Sequence, residues 1–266
     1  MLWCGSACAL SAGPSAWNGG RTSPLGSAVE LLPPATGGKP SPTGPTSPTG
    51  PAGSPGSSAG NVPSTGDVPS ASASAVPRRF VVLGDSLSAW TFPPGSTTPS
   101  TFGAWPSLLA TEDPGLVLSN NAGVPGNTTA QMLARLQGDV LDYDPDLLFV
   151  LGGTNDIGHD LPASVVVANL RQITGTAEGH GITVVLLTIP PANDQTEPRR
   201  QARRDINAQL GNLARQEGIL LVDVFSVLAA PDDNLADGYA AYDGLHLSQR
   251  GEQALADAVY RALQSK

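Results

Sequence analysis

Beyond residue 78 the chain alternates between two hydrophobic patterns. Five short runs are apolar at nearly every position: Arg79–Gly84 (RFVVLG), Leu116–Ser119, Asp146–Leu151 (DLLFVL), Ile182–Ile189 (ITVVLLTI) and Ile219–Val224 (ILLVDV). Such continuous short runs, several of them β-branched and closed by Gly or Pro, predict strands buried on both faces. Between them apolar residues recur at helical spacing. Thr128–Gln137 carries Met132, Leu133 and Leu136, and Ala163–Ala177 carries Val166, Leu170 and Ile173. Pro198–Gln216 carries Ile206, Leu210 and Leu213, and Ser248–Leu263 opens on Ser248 as an N-cap. Strands alternating with one-faced helices predict an α/β fold with a parallel sheet covered on both sides. Ligands in that architecture sit beyond the carboxyl ends of the strands, so chemistry is expected just after each strand.

Upstream the pattern disappears. From Pro33 to Pro77, 33 of 45 residues are Pro, Gly, Ser or Thr. That stretch has too little apolar surface to offset the entropy of ordering it, and it is expected to be a disordered linker. Its short repeats, Ser41-Pro42-Thr43-Gly44 and Ser47-Pro48-Thr49-Gly50, are too irregular for a solenoid. Residues 1–32 form an N-terminal tail. Met1–Trp17 is mildly apolar but lacks a charged start, and Gly5, Ser6, Gly13 and Pro14 interrupt it. It fits either a degenerate export signal or sequence upstream of the true start. The expected division is tail 1–32, linker 33–77 and globular domain 78–266.

Composition narrows the partners. The net charge of −9 falls wholly after residue 77, because Arg21 and Lys39 balance Glu30 and Asp67 before it. An acidic domain argues against nucleic acid and anionic membrane as partners, since both select for basic patches. No run reaches transmembrane length, so no stable membrane insertion is expected. The only cysteines, Cys4 and Cys8, lie in the tail, where a bridge, free thiols and lipidation all remain open. The domain itself therefore has no disulfide framework and no thiol nucleophile. The Pro/Ser/Thr-rich linker points to a secreted or surface location.

Four segments carry candidate chemistry. Gly84-Asp85-Ser86-Leu87-Ser88 follows strand one and places a hydroxyl on a strand-to-helix turn. Asn120–Thr128, after strand two, holds Gly123, where a backbone N–H can approach a ligand closely. Gly152-Gly153-Thr154-Asn155-Asp156, after strand three, offers an uncharged amide donor suited to a transient oxyanion. Asp243-Gly244-Leu245-His246 precedes the last helix, and its spacing lets the carboxylate hold one ring nitrogen while the other acts as base. Each segment taken alone has a plain explanation as a cap, turn or loop. Together they supply a nucleophile, two donors and an oriented base, in the chain order Ser…Asp…His of another α/β triad class.

In these residues the chain resembles the SGNH (GDSL-like) hydrolases, whose four blocks bear Ser, Gly, Asn and His. Ser86, Gly123, Asn155 and His246 fall on those letters, with Asp243 as the triad acid. The resemblance runs from about Arg79 to the C-terminus. It implies a flavodoxin-like three-layer α/β/α sandwich with a five-stranded parallel sheet, and a serine esterase mechanism with no cofactor or metal. Ser86, Asp243 and His246 would be catalytic, with Ser86, Gly123 and Asn155 forming the oxyanion hole. The family includes lipases, thioesterases, lysophospholipases and carbohydrate acetyl-esterases, so a small-molecule, glycan or lipid ester is the expected substrate. The linear sequence specifies neither the natural ester nor the oligomeric state.

Other features carry less. Gly56-Ser57-Ser58-Ala59-Gly60 matches GxSxG but has no strand before it and no helix after it. A metallophosphoesterase would be starved of ligands by a chain with three histidines, His159, His180 and His246. The cluster Arg199, Arg200, Arg203 and Arg204, flanked by Glu197 and Asp205, reads as a solvated helix face. Ala89–Trp105 reads as an irregular insertion whose Trp and Phe residues wall the cleft. The rival from another class is a non-catalytic binding domain on the same fold, which would have no need of the Ser86, Asp243 and His246 set.

Overall fold

The computed structural model describes residues 76–193 and 196–265. The tail, nearly all of the linker, Cys4, Cys8 and the Gly56–Gly60 match lie outside the described residues. In chain order the elements are β1 (Arg78–Gly84), α1 (Ser86–Ala89), α2 (Trp105–Glu112), β2 (Leu116–Gly123), α3 (Thr129–Ala134), α4 (Leu136–Asp139), β3 (Leu147–Leu151) and α5 (Thr154–Gly158). They continue as α6 (Ala163–Gly179), β4 (Thr183–Leu187), α7 (Glu197–Glu217), β5 (Leu220–Val222), α8 (Val224–Leu228) and α9 (Gln249–Gln264). The strands pair in the order β2-β1-β3-β4-β5, every pair parallel. This is the five-stranded α/β/α sandwich expected.

Alternation along each strand divides the core in two. Val81, Leu83, Leu148 and Val150 face a layer built with Met132 of α3, Leu170 of α6 and Leu210 of α7. Phe80, Val82 and Phe149 face the other, built with Trp105 of α2, Leu228 of α8 and Leu255 of α9. Because strand side chains alternate, one apolar run supplies both layers. That is why the strands read as unbroken hydrophobic stretches.

The helix expected over Thr128–Gln137 is broken at Arg135 into α3 and α4, and three further features differ from the sequence expectation. β2 continues four residues past Ser119 to Gly123, pairing Gly123 with Gly84 after a register shift at Phe80/Val81. It is an edge strand, where the polar Ser119, Asn120 and Asn121 are tolerated. Trp105 does not wall the cleft: it opens α2, is wholly buried and packs edge-on against Phe149 at 6.0 Å. Arg203 is not on a solvated face. It shares the apolar side of α7 with Ile206 and Leu210, three and seven residues on, and is 2% exposed. Its neighbours keep to the surface, where Arg199 pairs with Asp160 at 3.6 Å and Arg204 with Asp233 at 2.8 Å.

Candidate active site

Sheet order brings three of the four segments together. β2, β1 and β3 are neighbours, and register aligns Gly123, Gly84 and Leu151 at their carboxyl ends. Ser86, Gly123 and Asn155 therefore emerge side by side although up to 69 residues separate them. The sharp turn after β1 is held by Asp85, whose carboxylate accepts the Leu87 N–H at 2.9 Å and caps α1. Ser86 follows with only 8% of its surface exposed.

His246 reaches Ser86 from the loop before α9. Its Nε2 lies 2.8 Å from Ser86 Oγ, and its Nδ1 lies 2.6 Å from Asp243 Oδ2. Asp243 Oδ1 also accepts the backbone N–H of Leu245 at 3.0 Å and of His246 at 2.9 Å. Partial burial pushes the Asp243 carboxyl up. The bonds from the His246 ring and from the two backbone N–H groups outweigh it and hold Asp243 below the usual carboxylate range. Asp243 is thus a fixed anion that orients the ring, leaving Nε2 for the serine. Gly244, at φ +70°, makes the turn that lets the two side chains meet.

Two of the expected donors, Gly123 and Asn155, are already engaged. Asn155 sits at the start of α5, after Gly153 with φ +117°. Its Nδ2 donates to the Asn127 carbonyl at 2.9 Å and to Asp85 Oδ2 at 3.3 Å. The Gly123 N–H donates to Asn121 Oδ1 at 3.1 Å. Gly123 also packs against α1 so closely that a Cβ there would lie 2.5 Å from the Ala89 nitrogen.

A polar layer beneath these residues escaped the sequence analysis. Asp85 is fully buried, and that burial raises its carboxyl to about 6 despite the Leu87 bond. Burial likewise lowers the Arg203 guanidinium to about 10, partly offset by the charge of Asp85. Arg135 binds the Gly84 carbonyl at 2.7 Å and Asn127 Oδ1 at 2.8 Å, bracing the turns after β1 and β2. Asp156 accepts the Thr129 N–H at 2.9 Å and its hydroxyl at 2.6 Å, joining α5 to α3. Only the residue types hinted at these roles, since each depends on a partner far away in sequence.

The other singled-out residues fall elsewhere. His159 caps α5, and His180 caps α6 with Nδ1 2.8 Å from the Thr176 carbonyl. Among the described residues no group of three or more His, Cys, Asp or Glu side chains converges to hold a metal. Of the 89–105 insertion, Phe92 is buried with its ring 5.4 Å from that of His246, and Trp90 lies 6.3 Å from the same ring. Trp90 and the exposed Phe102 border a cavity of about 520 Å³ that reaches Gly123 and Pro125.

Comparison with known proteins identifies the family and the fold. The family model described as "GDSL-like Lipase/Acylhydrolase family" matches residues 82–254. An arylesterase of Vibrio mimicus is 28% identical over 202 residues, 73% of this chain and 92% of that protein. The thioesterase 1/protease 1/lysophospholipase L1 of Escherichia coli K12 is 27% identical over 185 residues, 69% of this chain and 82% of its own. Among solved structures, a lipase/acylhydrolase from Enterococcus faecalis superposes with a TM-score of 0.60 at 23% identity. It covers 71% of this chain and 96% of its own.

Proposed function

The chain belongs to the GDSL-like lipase/acylhydrolase family and is a carboxylic ester hydrolase; from that premise we propose that Ser86, His246 and Asp243 carry the reaction through an acyl-enzyme. The observation that supports this most directly is the unbroken chain Ser86 Oγ–His246 Nε2, 2.8 Å, and His246 Nδ1–Asp243 Oδ2, 2.6 Å. His246 takes the Ser86 proton as Oγ bonds to the ester carbonyl carbon. The carbon–alkoxy bond then breaks, and His246 passes the proton to the leaving alcohol. Water repeats the sequence, giving its proton to His246 and its oxygen to the acyl group. The acid leaves as Ser86 regains its proton. The Ser86 and Gly123 N–H groups and the Asn155 amide stabilise the oxyanion of both tetrahedral intermediates. Asp243, held ionised, stabilises the imidazolium.

The side chains bordering the cavity at Gly123 include Ala89, Trp90, Phe102 and Pro125, and none of its lining residues is charged. This supports a neutral ester with an apolar or aromatic group over a charged one. The Pro/Ser/Thr-rich stretch before the domain supports a secreted or surface-displayed enzyme.

Hydrolysis of nitrophenyl esters of graded acyl length, by wild type and by Ser86→Ala, tests the assignment. Turnover that disappears in the variant is expected, and the chain-length profile then defines the acyl preference. Turnover that survives in Ser86→Ala overturns the nucleophile. A wild type silent on every length favours the binding-domain alternative.

A further inference from the structure

We propose that Asn121 is a positioning residue that fixes the Gly123 N–H against the helix bearing Ser86, so that this donor is already aimed when the oxyanion forms. The proposal rests on the assignment of Ser86 as nucleophile and Gly123 as oxyanion donor.

Both ends of the Asn121 carboxamide are engaged. Its Nδ2 donates to the Ser88 carbonyl at 2.7 Å, and its Oδ1 accepts the Gly123 N–H at 3.1 Å. The Ser88 carbonyl lies one residue before the end of the four-residue α1, where a helix leaves carbonyls without internal partners. One side chain thus links the last turn of the nucleophile helix to the end of β2. The backbones also touch there: a Cβ on Gly123 would meet Ala89 N at 2.5 Å and Ala89 Cα at 2.8 Å. Contact fixes the separation of the two segments, and the amide fixes their rotation.

The resting bond has a chemical consequence. At 3.1 Å it lies at the long end of the N–H···O range and has a neutral acceptor. A developing oxyanion is a stronger acceptor, and it can share or take the N–H without Asn121 leaving its anchor on Ser88. The N–H is thereby spared hydration before substrate arrives, which is the preorganisation that makes such a donor effective. An aspartate would still accept the N–H. It would lose the donation to Ser88 and set a carboxylate beside the developing negative charge.

Three measurements on Asn121→Ala and the near-isosteric Asn121→Asp test this: kcat and KM on a nitrophenyl ester, the inhibition constant of an alkylboronic acid that forms a tetrahedral serine adduct, and the melting temperature. Both variants are expected to lose roughly tenfold to a hundredfold in kcat, with Asp losing more, while KM changes little. The boronate inhibition constant should rise by the same factor as kcat falls. An unchanged kcat with a lowered melting temperature would show a purely structural link, and a raised kcat would show that Asn121 only competes for the donor; either overturns the proposal. If Asn121→Ala does not fold, Asn121→Asp decides alone. Fluorophosphonate labelling of wild type but not of Ser86→Ala checks the underlying assignment separately, so failure of one cannot be mistaken for failure of the other.

Discussion

At the scale of single residues, polar groups are placed by what they bind. Asp85 adjoins the proposed nucleophile, Ser86, yet it is a buried acceptor for Leu87 and Asn155. Desolvation raises its carboxyl from 3.8 to about 6. The folded state therefore holds this proton more tightly than the unfolded chain does, and ionising Asp85 costs stability. The cost is absent below about pH 4, grows as pH rises to about 6 and is constant above. A difference of that size corresponds to about 3 kcal/mol. Asp85→Asn removes the ionisation and keeps an oxygen for the Leu87 N–H. Its stability relative to wild type is expected to climb between pH 4 and pH 6 and then level off, as read by urea unfolding at a series of pH values. A difference that stays flat across that range would mean that Asp85 titrates in the fold as it does in the unfolded chain.

At the scale of elements, the site depends on helices being fixed to one another. α2 has no side-chain cap from its own N-cap residue, Ala104. Its Trp105 N–H is taken instead by Glu252 Oε2, 2.8 Å away in the first turn of α9. Glu252 is fully buried, and desolvation raises its carboxyl well above the ordinary glutamate value. Burial thus favours its neutral form over the carboxylate. Glu252→Gln keeps an acceptor and is expected to be nearly as stable as wild type. Glu252→Ala leaves the Trp105 N–H without a partner and should cost about 1–3 kcal/mol. Thermal or urea unfolding of the two variants makes the comparison, and equal losses would show that the hydrogen bond contributes nothing beyond packing. Periodicity revealed α6, α7 and α9 within a few residues of their ends. It did not reveal α1, α5 and α8, because four or five residues give too few repeats of a 3.6 period to show a stripe.

At the scale of the whole molecule, both core layers and every proposed site residue lie after residue 78. The boundary proposed there predicts that a chain starting at Val76 folds and keeps its kcat on a soluble nitrophenyl ester. Comparing kcat and melting temperature of that chain with those of the full sequence checks this. A large loss in the shorter chain would assign the upstream residues a part in the domain.

What the sequence by itself determined was the order of chemical types and the layering of the sheet. Unbroken apolar strands must be covered twice, and chemistry follows strand ends, so Ser86, Gly123 and Asn155 were legible as candidates, while Asp243 and His246 stood out by their own spacing before the last helix. Local capping was legible too, as in Ser248 accepting the Gly251 N–H at 3.2 Å. Only the tertiary structure decided which polar groups are buried and what they hold. Asn121 meets Ser88 across 33 residues, Asn155 meets Asp85 across 70 and Glu252 meets Trp105 across 147. Hydrogen bonds act over about 3 Å, while residue type and local pattern report only on near neighbours in the chain. Such pairings exist only once the sheet has brought its strand ends together.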